Sequence, residues 1–113
     1  MNISRLINRY GNTVHITGGD GWKSSPFKAF IQPLRYKTKL YMEGEHTPIG
    51  INRNDVYLYI GRAEHRLDKL NRTCRIHDKD NNRYMIDRSE RIIVNDTTIY
   101  VWAIIRKTTE GDL

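Results

Sequence analysis

The chain has 113 residues, with 19 Lys and Arg against 13 Asp and Glu, for a net charge of +6 with histidine neutral. At this length roughly two-thirds of the unfolded surface is buried on folding, so one core is feasible without disulfides, metal or cofactor, and the single Cys74 leaves no internal disulfide to form. The longest apolar run, residues 99–105, is far short of the roughly 20 residues of a membrane-spanning helix; with no signal-peptide-like N-terminus, a soluble intracellular or assembly protein with no membrane contact is expected.

Ile3, Leu6, Ile7 and Tyr10 follow the i, i+3, i+4, i+7 spacing of an amphipathic helix, and Gly11 stands where a C-terminal cap falls, so residues 2–10 are predicted helical. A helix shorter than roughly 12 residues is marginal alone in water. Its stripe is therefore expected to dock on the domain or on another subunit. Residues 13–17 alternate Val14 and Ile16 with polar neighbours, as a strand does, and Gly18-Gly19-Asp20-Gly21 ends them in a turn. Residues 28–32 read as a second strand, stopped by Pro33.

Residues 34–54 hold Gly44, Pro48 and Gly50 among charges and form a long central loop; loops of that length are usually functional or disordered. The loop opens on Arg35, Lys37 and Lys39, whose period-two spacing puts all three cations on one side of an extended segment. Glu43 and Glu45 follow. With His46 they suggest an acid–base or metal cluster, but a long loop holds such geometry poorly.

Residues 55–60 and 99–105 are β-branched and aromatic on both faces, so both faces must be covered: by a closed barrel or sandwich, or by an oligomer interface on the outer face. Residues 72–77 and 83–87 flank Asp78-Lys79-Asp80-Asn81-Asn82, a polar hairpin loop, and residues 91–94 and 99 onward flank a second at 95–98. The tail at 107–113 reads as flexible. The fold class that follows is all-β: a small barrel or sandwich of six to seven strands with a short N-terminal helix, in one domain.

Outside the 35–39 cluster the positive excess is diffuse. Arg62, Glu64, Arg66 and Asp68 alternate in sign, as a solvated face does. Cys74 and His77, three apart, point to opposite faces of a strand, and the four histidines have no shared metal-ligand spacing. The 78–82 run lacks the glycine and terminal glutamate of a calcium loop. No catalytic residue, metal or cofactor is expected. Tyr57 and Tyr59 share one face of their strand, and Tyr100 and Trp102 one face of theirs. These aromatics suit either stacked bases on a small oligonucleotide-binding barrel, the alternative reading, or contacts with a neighbouring subunit.

Taken in order, the N-terminal helix, the glycine-rich turn, Lys28-Ala29-Phe30-Ile31-Gln32-Pro33, the long polar loop, Asp55-Val56-Tyr57-Leu58-Tyr59-Ile60-Gly61, a hairpin ending near Tyr84 and the final strand 99–105 resemble the small head-completion proteins of tailed phages and PBSX-like prophages, the stopper or head–tail joining family. The resemblance spans residues 3–107. It implies a β-barrel that forms a ring in the virion neck after a period free in the host cytoplasm. The ring's partners would be its own copies, the portal with its adaptor, and the tail terminator. On this chain the loop near the channel and its double-stranded DNA would carry Arg35, Lys37, Lys39, Glu43 and Glu45, while Ile3, Leu6, Ile7, Tyr57, Tyr59, Tyr100 and Trp102 would meet neighbours.

Overall fold

The computed structural model describes residues 2–34 and 56–108. Asn2 starts helix α1 (Ile3–Tyr10) by accepting a hydrogen bond on its side-chain oxygen from the Arg5 N–H, 3.3 Å away. This satisfies one of the amide donors that the first turn of a helix leaves over. At the other end the Gly11 N–H donates to the Ile7 carbonyl, 2.8 Å away. Gly11 has an ordinary negative φ. Its missing side chain matters for space, because a methyl group there would press on the Ile7 carbonyl and the Ala29 backbone.

Six antiparallel strands follow: β1 (Asn12–Thr17), β2 (Phe27–Pro33), β3 (Val56–Arg62), β4 (Arg75–Asp78), β5 (Arg83–Val94) and β6 (Thr97–Thr108). They pair in the order β1-β2-β3-β6-β5-β4, and β4 returns to β1 to close a barrel. Closure covers the inner face of the strands that are apolar on both faces. Alternate residues turn inward, and Val14, Ile16, Ala29, Tyr59, Ile76, Tyr84, Val101, Ala103 and Ile105 form one buried core. Leu67, in the 3-10 turn Leu67–Lys69 between β3 and β4, joins that core, as does Cys74 just before β4.

The outer face of β2, β3 and β6 is covered in part by α1. Ile7 is fully buried yet stands outside the interior cluster. Asn8 accepts a hydrogen bond from Arg62, which alternates with inward-facing Gly61 and so lies on the outside of the barrel. The helix therefore docks on its own domain. Ile7, expected at a partner interface, is part of the chain's own packing; Ile3 and Leu6 remain half-buried.

Pro33, read as the stop of the second strand, is instead its last residue, paired with Tyr57; three further boundaries differ from the sequence reading, each for a local reason. Residues 72–74 are not strand, because Asn71 folds the chain back there by accepting from the Thr73 N–H at 2.9 Å. Residues 83–87 and 91–94 are one strand, since Arg88, Ser89 and Glu90 continue the ladder opposite Ile104, Ala103 and Trp102 after a bulge at Asp87. Lys107 and Thr108 belong to β6 rather than to a tail, paired with Tyr84 and Arg83. Both predicted hairpins are present. In the first, Asp78 Oδ1 accepts from the backbone N–H groups of Asp80 and Asn82, each at 2.9 Å. In the second, Asn95 and Asp96 take the left-handed conformation of a tight two-residue turn.

Candidate functional site

One end of the barrel is where residues 35–55 leave and return. The Leu34 N–H donates to the Val56 carbonyl at 2.9 Å, so the two stems are tied together immediately beyond β2 and before β3. Beside this junction the barrel opens in a cleft of about 300 Å³ lined by Asn12, Ile31, Tyr57, Asp78 and Tyr84, among others. Tyr57 and Tyr84 meet edge to face with centroids 5.1 Å apart. Asp78 Oδ2 accepts from the Tyr84 hydroxyl at 3.1 Å and from Asn82 Nδ2 at 2.9 Å. Burial pushes this carboxyl up, but the hydrogen bonds from Asn82, Tyr84 and Asp80 outweigh it and hold Asp78 below the usual range. Burial, and then the adjacent carboxylate, raise Tyr84. Neither group is poised to exchange protons near neutrality. The pair locks the 78–82 hairpin to the core.

Of the residues assigned to the channel loop, Arg35, Lys37, Lys39, Glu43 and Glu45 lie outside the described residues. The aromatic set divides by strand parity. Tyr59, expected at an interface, has no exposed surface and sits in the barrel interior. Tyr57, on the same inward row, packs against the core at the mouth. The outward row of β3 is instead Val56, Leu58 and Ile60, all half-buried. Trp102 and Tyr100 alternate with inward Val101 and Ala103 and so remain on the outside, half-buried. The Arg88 guanidinium carbon stands 5.6 Å from the Trp102 ring centroid, within range of a cation–π contact.

Beyond Tyr100, the last β6 residue paired with β3, β5 and β6 continue as a short two-stranded tip in which Ile93 and Val94 face Thr98 and Thr97. On the edge of β5 away from β6, pairing with β4 ends at Met85; beyond it the 3-10 turn packs against β5, with Arg91 Nε 3.8 Å from Asp68 Oδ2. The tip exposes Ile93 and Val94, at 48% and 53% of their full surface. A hairpin tip with two exposed aliphatic residues is a surface that another chain can cover.

Two ring pairs were not legible in the sequence, because each depends on register. His15 and His77 stand opposite one another on β1 and β4 and stack with centroids 4.6 Å apart. His77 Nε2 also lies 2.9 Å from the Thr17 hydroxyl. Burial, with Lys23 nearby, lowers the His15 pKa. For His77 burial leads, followed by His15, Arg83 and Lys23, with Asp78 opposing them. Phe27 and His65 stack at 4.0 Å, and burial lowers His65 as well. Among the described residues no group of three or more His, Cys, Asp or Glu side chains is placed to hold a metal ion, and no helix is long and apolar enough to cross a membrane.

In comparisons with family models, with curated proteins and with solved structures, nothing matches this chain.

Proposed function

We propose that the chain is a structural ring component of the neck of a tailed phage or related prophage particle, set between the portal with its adaptor and the tail. The observation that carries this reading is the β5–β6 tip. A closed barrel does not need a projecting hairpin, yet this one carries an aliphatic tip, Ile93 and Val94, into solvent. A neighbouring copy in a ring would cover that tip, giving a head-to-tail contact that closes by rotation. The stems tied at Leu34 and Val56 support the second half of the reading, since they hang residues 35–55, with Arg35, Lys37 and Lys39, from one end of the barrel where a channel and its DNA would lie. In this reading the free chain is cytoplasmic in the host and becomes part of the virion on assembly.

The alternative, a barrel that stacks single-stranded bases on its tyrosines, is supported less: Tyr59 is sealed inside and Tyr57 packs on the core. The test is to assemble particles with the gene inactivated. Heads without joined tails, or heads that leak DNA, are the expected result. Normal infectious particles would overturn the reading.

A further inference from the structure

A second cleft, of about 360 Å³, lies on the outside of the barrel and is lined by residues of α1, β1, β2, β3 and the turn after β3. Ala29 stands opposite Gly61 in the β2–β3 ladder, so Lys28 and Arg62, one step further along each strand, are neighbours on the outer face. Like charges set side by side on adjacent strands are destabilising unless something compensates them. Compensation within the chain is partial. Arg62 Nη2 pairs with Glu64, and its Nη1 donates to Asn8 Oδ1 at 3.0 Å. Its Nε is buried with no acceptor. Lys28 Nζ donates to the Thr13 hydroxyl at 3.1 Å and makes no ion pair with any described carboxylate. The Arg62 Nε has no accessible surface, so a ligand would meet the guanidinium at its Nη atoms, in a cleft whose two cations face the single carboxylate of Glu64.

We propose that this cleft binds a phosphate group, held by Lys28 and Arg62. A tetrahedral oxyanion presents several acceptors at once, which suits the Nη protons that Glu64 and Asn8 leave over together with the remaining protons of an ammonium. The Asn8 amide, whose oxygen is turned to Arg62, keeps its NH2 to donate. The stacked rings of Phe27 and His65 line one side of the cleft. The phosphate comes either from a free phosphate ion or from the backbone of a nucleic acid. The inference stands independently of the neck reading, since it uses none of the tip or the mouth.

The full chain is titrated with sodium phosphate at pH 7.5 against sodium chloride of equal ionic strength, and backbone and imidazole NMR signals are followed. Saturable shifts at Asn8, Thr13, Lys28, Arg62 and His65 are expected with phosphate only, together with a rise in the His65 pKa on binding. Lys28→Gln, which keeps a donor for Thr13, is expected to weaken binding at least tenfold while its spectrum stays folded; Arg62→Gln is the second variant. A parallel titration with a short DNA duplex separates the sources: shifts at the same residues, reversed by added phosphate, assign the group to nucleic acid, and shifts with phosphate alone assign it to the free ion. The proposal is overturned if neither ligand shifts these residues, if chloride does so equally, or if Lys28→Gln binds as the parent does.

Discussion

Gly61 is glycine because Tyr59, two residues back on the same inward row, occupies the space that a methyl group would need: a Cβ there would overlap the Tyr59 phenol. Gly61→Ala is therefore expected to cost about 2 kcal/mol through overpacking, read as a lowered urea midpoint. The same phenol oxygen is buried without a hydrogen-bond partner, and burial raises its pKa. Tyr59→Phe removes an unsatisfied polar atom and keeps the ring, so a gain of about 1 kcal/mol is expected. A loss would show that the hydroxyl is satisfied in solution. The histidines make a separate prediction. His15, His65 and His77 all have folded pKa values below the ordinary 6.5. The unfolded chain thus takes up more protons than the folded one as pH drops through that value, and stability falls with it. Urea unfolding at pH 7.5 and 5.5 is expected to show a lower midpoint at 5.5, and His77→Phe to narrow the gap. A pH-independent midpoint would mean that the stack carries no proton linkage.

At the scale of elements, α1 depends on Ile7 more than on the stripe as a whole. Ile7→Ala empties a fully buried position and is expected to cost about 3 kcal/mol. Ile93→Asp and Val94→Asp lie on the exposed β5–β6 tip and are expected to leave the thermal midpoint unchanged while blocking incorporation into particles; particles that carry either variant normally would remove the tip from the assembly contact. Periodicity made much of this architecture legible. Val14 and Ile16, Asn2 to Tyr10 and the two polar hairpins all appear where alternation and turn residues put them. What local pattern could not convey was pairing. Arg88, Ser89 and Glu90 interrupt the apolar alternation, so one long strand read as two; only the ladder to β6 holds them extended. Likewise a doubly apolar strand does not reveal which row turns inward, and on β3 it is the row with Tyr59 and Gly61. The candidate sites suffered most, because the His15–His77 stack and the Lys28–Arg62 juxtaposition are made by residues far apart in the chain.

For the whole molecule, the +6 charge is tempered by pairs such as Arg66–Asp68 at 2.7 Å and Arg106–Asp87 at 2.9 Å, exposed contacts that each contribute little to stability but hold cations locally. Filter binding to single-stranded DNA across a salt series is thus expected to be weak, with a shallow slope; tight binding that falls steeply with salt would favour the oligonucleotide-binding alternative. Closure of the barrel has a kinetic consequence. The β5–β6 hairpin joins residues that are close in the chain, whereas the seam between β1 and β4 brings together Thr17 and His77, sixty residues apart. Non-local pairings are reached slowly, since the entropy of bringing distant segments together is lost before their contacts repay it. A newly made chain would thus pass through an open, curved sheet in which the β4–β5–β6 hairpins are already formed, with the β1–β4 seam the last ladder to close and the first to exchange its amide hydrogens.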